Sequence, residues 1–232
     1  MSEVIRTHFF DHEEDRLLEA RNIHFWRALA GHIQADRSIP SDATVLDIGC
    51  HRGGLLELLH ERFRSARLLG IEPLVSARRV AERRLARFTA HTQLFGAEGW
   101  SSIPDAGVDL IVGHEVLQYI SDLSLLMANI RRAIRPGGFV YLALGCHTEN
   151  PLWATWKHEL EALGHGVHDH SPLEIMAAGA RAGLAPSVRP LRDTGWVYHD
   201  PSVLGSFSYP SVGALLEHQF RHKLLFRFEC CT

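Results

Sequence analysis

The chain has little of what would take it out of the ordinary globular class. Its four cysteines, Cys50, Cys146, Cys230 and Cys231, show neither Cys-x-x-Cys spacing nor the density of a secreted disulfide scaffold, so they read as reduced thiols. Long apolar runs are missing. The longest stretch without Asp, Glu, Lys or Arg, residues 201–216, holds Gly205, Pro210, Gly213 and four serines, which excludes a spanning helix and a membrane partner. No charge of one sign dominates. Lys plus Arg number 24 against 27 Asp plus Glu, a net charge of -3, which gives no general reason to bind nucleic acid. The opening MSEVIRTHFFDHEEDR is acidic where a secretory signal is basic and then apolar, so the expected location is cytoplasmic. Repeats and low-complexity tracts are absent. At 232 residues, 46% hydrophobic and 22% charged, the chain predicts one domain over 1–232 with a sizeable core.

What is present is an alternation of short apolar runs with helix-length amphipathic ones, the pattern of strand–helix units around a doubly wound parallel sheet. After a helical lead-in over 1–40, strands are predicted at Thr44–Gly49, Arg67–Glu72, His91–Phe95, Val108–Gly113 and Phe139–Leu144. Leu55, Leu58, Leu59 and Phe63 form the apolar stripe of the first intervening helix. Leu74, Ala77, Ala81, Leu85 and Phe88 form that of the second, with Arg79, Arg83 and Arg87 on its solvated side. A third helix is predicted from an N-cap at Ser121 to a stop at Pro136-Gly137-Gly138. Two more follow, one from Trp153 to Leu163 and one over Pro172–Ala182. Ala185–Leu191 carries Pro186 and Pro190, so it belongs at a sheet edge, and Leu224–Phe228 is the last strand. Residues 193–222, with Trp196, Tyr198, Phe207 and Tyr209 among glycines and serines, are too long for a plain connector and read as a functional loop.

Ligands of such sheets bind beyond the carboxyl ends of the strands, where strand order reverses. The first strand ends in Asp47-Ile48-Gly49-Cys50-His51-Arg52-Gly53-Gly54, a turn whose glycines let backbone approach a ligand. The second ends in Glu72, 23 residues after Gly49, a spacing that suits a carboxylate accepting bonds from ribose hydroxyls. Together they predict a nucleoside site.

Over residues 40–192 the chain resembles the class I S-adenosylmethionine-dependent methyltransferases, most closely the small-molecule group often called type 11. The resemblance rests on the order and spacing of VLDIGCHRGG, GIEP, Gly96-Ala97-Glu98, GHEVLQYISD and RPGGFVYLAL. It implies a Rossmann-like sheet of seven strands, mostly parallel, with helices on both faces, the sixth strand at the edge and the last one antiparallel beside the fifth. It implies S-adenosylmethionine as cofactor, with Asp47, Gly49, Cys50, His51 and Gly53 around its methionine part, Glu72 and Pro73 at the ribose, Ala97 or Glu98 at the adenine, and His114 and Glu115 near the methyl group. The family's middle loop glycine is His51 here, and its usual acidic residue beside the adenine is replaced by Gly96 or Ala97.

A nicotinamide-dependent oxidoreductase is the rival for such a turn, but the second glycine of its fingerprint is missing and Asp47 would repel a diphosphate while suiting an ammonium and a sulfonium. A non-catalytic binding protein of the same fold is the other alternative. The run Gly113-His114-Glu115-Val116 stands where nucleic-acid amino methyltransferases carry Asn/Asp-Pro-Pro-Tyr/Phe, which with the charge balance points to a small-molecule acceptor. His114, one residue past a buried strand, is the candidate catalytic base, with His147 behind it. His165, His168, Asp169 and His170 lie in a glycine-broken run without a second ligand group, so no metal is expected. Tyr119 and Trp100 are secondary candidates for stacking. Phe9, Phe10, Phe25 and Trp26 before the first strand, and Trp153, Trp156, Trp196, Tyr198 and Phe207 after the fifth, are expected to close the acceptor pocket.

Overall fold

The structure is a computed structural model that describes residues 12–64, 67–88, 92–197, 199 and 209–230, with side chains from Leu18 onward. Phe9, Phe10, Tyr198 and Phe207 fall outside the described residues. The lead-in is one long helix, α1 (His12–Asp36), whose Phe25, Leu29, Ala30 and Ile33 are buried at near-helical spacing against the sheet. Then come β1 (Thr44–Ile48), α2 (Gly54–Phe63), β2 (Arg67–Ile71), α3 (Val75–Leu85), β3 (Thr92–Phe95), β4 (Val108–His114), α4 (Leu123–Ala133) and β5 (Ile134–Leu144). The second half holds α5 (Trp153–Ala162), α6 (Pro172–Arg181), β6 (Ala185–Pro190), α7 (Val212–Glu217) and β7 (Leu224–Glu229).

The seven strands lie in the order β3-β2-β1-β4-β5-β7-β6, parallel through β5, with β7 antiparallel to both of its neighbours. Order reverses between β1 and β4, so the gap beyond their carboxyl ends is where a ligand fits. Leu110, Ile111 and Val112 of β4 are buried on both faces, each contributing roughly 1.5–3 kcal/mol of apolar transfer, and hold that crevice rigid. Proline-bearing β6 pairs only with β7, at the edge.

Some boundaries depart from the sequence expectation. The N-cap of α4 is Asp122, whose carboxylate accepts the Leu125 N–H at 2.9 Å, and Ser121 lies outside the helix. Pro136-Gly137-Gly138 does not form a separate turn before the strand. β5 already starts at Ile134, opposite Val108, and the three residues bulge out before Phe139 pairs with Leu110. The segment 193–222 is not all loop: α7 and a π-helical turn, His218–His222, occupy its end.

The antiparallel course of β7 matters most for function. Leu224, at its start, pairs with Leu144 at the carboxyl end of β5, so the residues just before β7 arrive at the same rim as the ends of β1, β2 and β4.

Candidate functional site

A cavity of about 590 Å³ opens at this rim. Its first half is built by β1, β2 and the turn between β1 and α2. Gly49 has φ 72°, and a Cβ there would come within 2.8 Å of Val116, so only glycine leaves the floor open. Asp47 is 2% exposed; burial, and then the neighbouring Glu72, push its carboxyl well above the usual range. Its Oδ1 is buried with no hydrogen-bond partner among the described residues. Glu72 accepts the His51 N–H at 2.9 Å on one oxygen and the Leu74 N–H at 2.8 Å on the other, while burial again raises its pKa. Each oxygen keeps a lone pair for a further donor.

His51 shows how the loop tolerates the loss of its middle glycine. It takes the left-handed conformation itself, φ 45°, at a cost of roughly 1–2 kcal/mol, and thereby aims its N–H at Glu72. The loop keeps a glycine's backbone without the glycine. Cys50 lines the cavity but turns its thiol toward the sheet, where a Cβ on Gly70 would meet Sγ at 2.6 Å, and burial raises the thiol's pKa, so the sulfur itself is an inert packing group. Gly53, φ 78°, is absent from the cavity lining; a Cβ there would press on Ala81 at 3.1 Å, so it serves the packing of α2 on α3. Pro73 and Ala97 line the cavity, whereas Glu98 is exposed and outside it. Over this half lies α1, with Trp26 stacked against Gly54 and Glu19 paired with Arg84 of α3, whose guanidinium also binds Glu57 at 2.6 Å. Trp26 Nε1 is a buried donor without a partner among the described residues.

The second half is walled by Phe25, Tyr119, Trp156 and Tyr209 and floored by His114, Glu115, Cys146, His218 and Lys223, from the end of β4, the turn after β5 and the entry to β7. His114 stacks on Phe25 at 5.7 Å, with its Nε2 buried and unpartnered among the described residues; burial, and then Lys223, hold its pKa well below the ordinary value. Glu115, φ 51°, accepts the Gly145 N–H at 2.7 Å and forms an ion pair with Lys223, while its Oε2 has no hydrogen-bond partner among the described residues. Lys223 is 2% exposed, and its ammonium lies 4.4 Å from the Phe25 ring centroid. A strained non-glycine backbone at the end of a buried strand, held by a buried cation, marks a built site. Gly145 makes room for it. A Cβ there would lie 2.6 Å from His218 Cε1 and 3.0 Å from Glu115 Oε1, so Gly145→Ala should lower stability by about 1–3 kcal/mol in chemical denaturation and disturb the Glu115–Lys223 pair.

Of the remaining predicted residues, Phe25, Trp26, Trp100, Tyr119, Trp156 and His165 line the cavity. His147 does not; it is 1% exposed and its Nε2 is bonded to the His222 carbonyl at 2.7 Å, a structural contact. Trp153 is buried with its Nε1 donating to Asp169 at 2.8 Å, and Trp196 is 97% exposed away from the site. Asp169 also holds Lys157, and His170 Nε2 bonds the Ile120 carbonyl at 2.8 Å, so this run ties α5 and α6 to the rim. Among the described residues no group of three or more His, Cys, Asp or Glu is placed to hold a metal. Tyr209, from the expected functional loop, reaches the cavity, whereas sequence reading missed Arg21, His218 and Lys223, and Asn150 behind His218, because they are isolated polar residues that only the tertiary course of the chain brings together.

A family profile described as a methyltransferase domain matches residues 10–186. The chain belongs to the methyltransferase-domain family. Among its relatives are a trans-aconitate 2-methyltransferase of Azoarcus sp. (strain BH72), 30% identical over 69% of this chain and 56% of that protein, and a malonyl-[acyl-carrier protein] O-methyltransferase of Serratia marcescens, 33% identical over 76% and 66%. The chain thus spans little more than half the length of the first of these. Similar folds include a chain of the complex between the Haloferax volcanii Trm112 methyltransferase activator and a methyltransferase, TM-score 0.78, 18% identical over 100% of both chains. Another is geranyl diphosphate C-methyltransferase from Streptomyces coelicolor A3(2), TM-score 0.67, 22% identical over 88% and 78%. This methyltransferase domain has no described helix long and apolar enough to cross a membrane.

Proposed function

We propose that the domain transfers a methyl group from S-adenosylmethionine to a small-molecule acceptor. The observation that carries this reading is Asp47, a buried cavity-lining carboxylate with an oxygen that has no partner among the described residues, beside a second carboxylate, Glu72. Two anions at the turn reject a diphosphate and suit a ligand that brings an ammonium, a sulfonium and ribose hydroxyls. Asp47 would take the ammonium, Glu72 the ribose, and Ala97, Pro73 and Trp100 the base. When bound, the cofactor supplies an electrophilic methyl carbon on sulfur, displaced in line by a nucleophile held about 3–3.5 Å away. The chain's own work is to orient the acceptor in the aromatic half of the cavity and to exclude water, which α1 does by covering the cofactor half. His114 and Glu115 stand between the two halves. The relatives' names differ in their acceptors and support methyl transfer rather than one substrate. A cavity of about 590 Å³ walled by Phe25, Tyr119, Trp156 and Tyr209 supports a small-molecule acceptor.

Calorimetric titration with S-adenosylmethionine and S-adenosylhomocysteine tests the reading, and a response to NAD alone would reject it. Glu72→Ala removes charge-assisted bonds worth about 1.5–3 kcal/mol each, so affinity should fall about tenfold or more. An unchanged Kd would dismiss the ribose assignment.

A further inference from the structure

We propose that Glu115 and His218 together hold a hydroxyl group as the methyl acceptor, with Glu115 as the catalytic base that takes its proton. The inference rests on the methyl-transfer reading above and names the acceptor class and its base.

Glu115 stands just past the end of β4 and lines the cavity. Its Oε1 accepts the Gly145 N–H at 2.7 Å and pairs with Lys223, which fixes the carboxylate, and the backbone takes φ 51° to put it there. Oε2 is buried with no hydrogen-bond partner among the described residues. A carboxylate oxygen only accepts, so a ligand that completes it brings an O–H or an N–H. The titratable groups facing Glu115 are Lys223, Cys146, Tyr119, Tyr209 and His147. Burial raises the pKa of the Cys146 thiol and of both phenols, so they keep their own protons, and it lowers that of His147, as it does for His114 and His218. Protonated groups take no further proton, and histidines so placed take one poorly. Glu115 is the carboxylate placed to take it.

His218 adds a donor of fixed direction. Asn150 Oδ1 accepts the Leu152 N–H at 3.1 Å and its Nδ2 donates to the Gly145 carbonyl at 2.7 Å, so two backbone groups settle which way the amide faces. The second Nδ2 proton goes to His218 Nδ1, 3.2 Å away, and the neutral ring therefore bears its hydrogen on Nε2. The ring lines the cavity, packed edge-on to Trp156 at 4.8 Å. His218 and Glu115 close on one point, since a Cβ built on Gly145 would stand 3.3 Å from His218 Nε2 and 3.0 Å from Glu115 Oε1. A donor and an acceptor thus lie side by side.

A hydroxyl matches the pair. Its proton goes to Glu115, one lone pair accepts the His218 N–H, and the second lone pair remains for the methyl carbon. A neutral amine has a single lone pair, which the methyl needs, and an ionised carboxylate has no proton for Glu115. The step balances. The O–C bond forms as the C–S bond breaks with its electrons going to sulfur, and the hydroxyl proton passes to Glu115 Oε2. An ether, a thioether and a neutral carboxyl result, and the carboxyl returns its proton to water after release. A base so placed contributes about 10²–10⁴ to the rate, with Lys223 as the residue that positions it.

The test uses protein labelled with ¹³C in glutamate and ¹⁵N in histidine, loaded with S-adenosylhomocysteine, and three probes of similar shape: phenol, anisole and aniline. Phenol should bind about tenfold or more tightly than anisole, the range expected of a hydrogen bond to a charged group, and should move the Glu115 carboxyl resonance, which anisole leaves in place. Imidazole correlations should show His218 as the Nε2–H tautomer, with Nε2 shifted by phenol and by anisole alike. Aniline offers an N–H but a poorly accepting nitrogen, so it should bind about threefold or more weakly than phenol. Glu115→Met combined with Lys223→Met removes both charges of the buried pair, leaves neither one alone, and should equalise phenol and anisole. Should that double variant not fold, the wild-type order of binding and the Glu115 resonance still decide. Equal binding of phenol and anisole by wild type, aniline binding as tightly as phenol, an Nδ1–H tautomer, or a preference that survives in the folded double variant overturns the hydroxyl reading and leaves methyl transfer standing. Protein that cannot be loaded with S-adenosylhomocysteine rejects both.

Discussion

Asp47→Asn is expected to lose S-adenosylmethionine and gain stability. The buried carboxylate lacks a partner until an ammonium arrives, and removing one member of such a buried pair costs about 3–5 kcal/mol, so the Kd should rise by about 10²–10³ or more. Binding of 5′-methylthioadenosine, which has the nucleoside and no amino-acid end, should be unaffected by Asp47→Asn and weakened by Glu72→Ala. Equal losses for both ligands would place Asp47 elsewhere than at the ammonium. The stability effect has the opposite sign. A carboxyl harder to ionise folded than unfolded costs stability once pH exceeds its unfolded value, about 3.9, and the cost grows until the raised folded pKa is passed. Wild type should thus lose stability relative to Asp47→Asn as pH rises from 4 toward neutrality. Near pH 7 the variant's Tm should be higher, by about 2–4 °C for each kcal/mol regained. Parallel pH profiles for the two proteins would contradict the burial argument.

His114→Ala should lower turnover by about 10²-fold with the same loss at every pH from 6 to 9. The ring is stacked on Phe25, its Nε2 has no partner among the described residues, and burial, then Lys223, holds its pKa well below the ordinary value. Those features suit a group that positions the reacting atoms. A general base would instead show a loss of about 10²–10⁴ that shrinks at high pH, where the acceptor ionises unaided. Kinetics at saturating cofactor separate the two. A loss that disappears at pH 9 would restore the base.

The parts of this protein legible in its sequence are those whose signals are local. Apolar runs of β1, β2, β4 and β5 stand out because a strand buried on both faces leaves no place for polar residues. Asp47, Gly49 and Glu72 could be found because the turn that uses them is contiguous and its partner strand lies one unit further on. Even the edge position of β6 follows from Pro186 and Pro190, which cannot donate to a ladder. Where the local signal was read too simply, competing bonds decided: Asp122 capped α4 in place of Ser121, and the Pro136-Gly137-Gly138 run was absorbed as a bulge inside β5.

Tertiary structure alone decided the acceptor half. A search at the carboxyl ends of parallel strands leads to His114 and Glu115, but an antiparallel β7 brings its amino end to the same rim and delivers Lys223, with His218 in the turn before it. No spacing in the sequence ties Glu115 to Lys223, 108 residues apart, or Asn150 to His218, 68 apart, since long-range pairs are set by topology and not by period. The covering helix α1 is another such case. Its amphipathic stripe shows that it packs, while the Glu19–Arg84 pair and the contact of Trp26 with Gly54 determine that it packs over the cofactor half of the cavity. Sequence thus determined the sheet and the glycine-rich turn with its two carboxylates, where the signal is encoded within single turns; the fold determined the far half of the cavity, where lone polar side chains acquire meaning only from the neighbours that burial gives them.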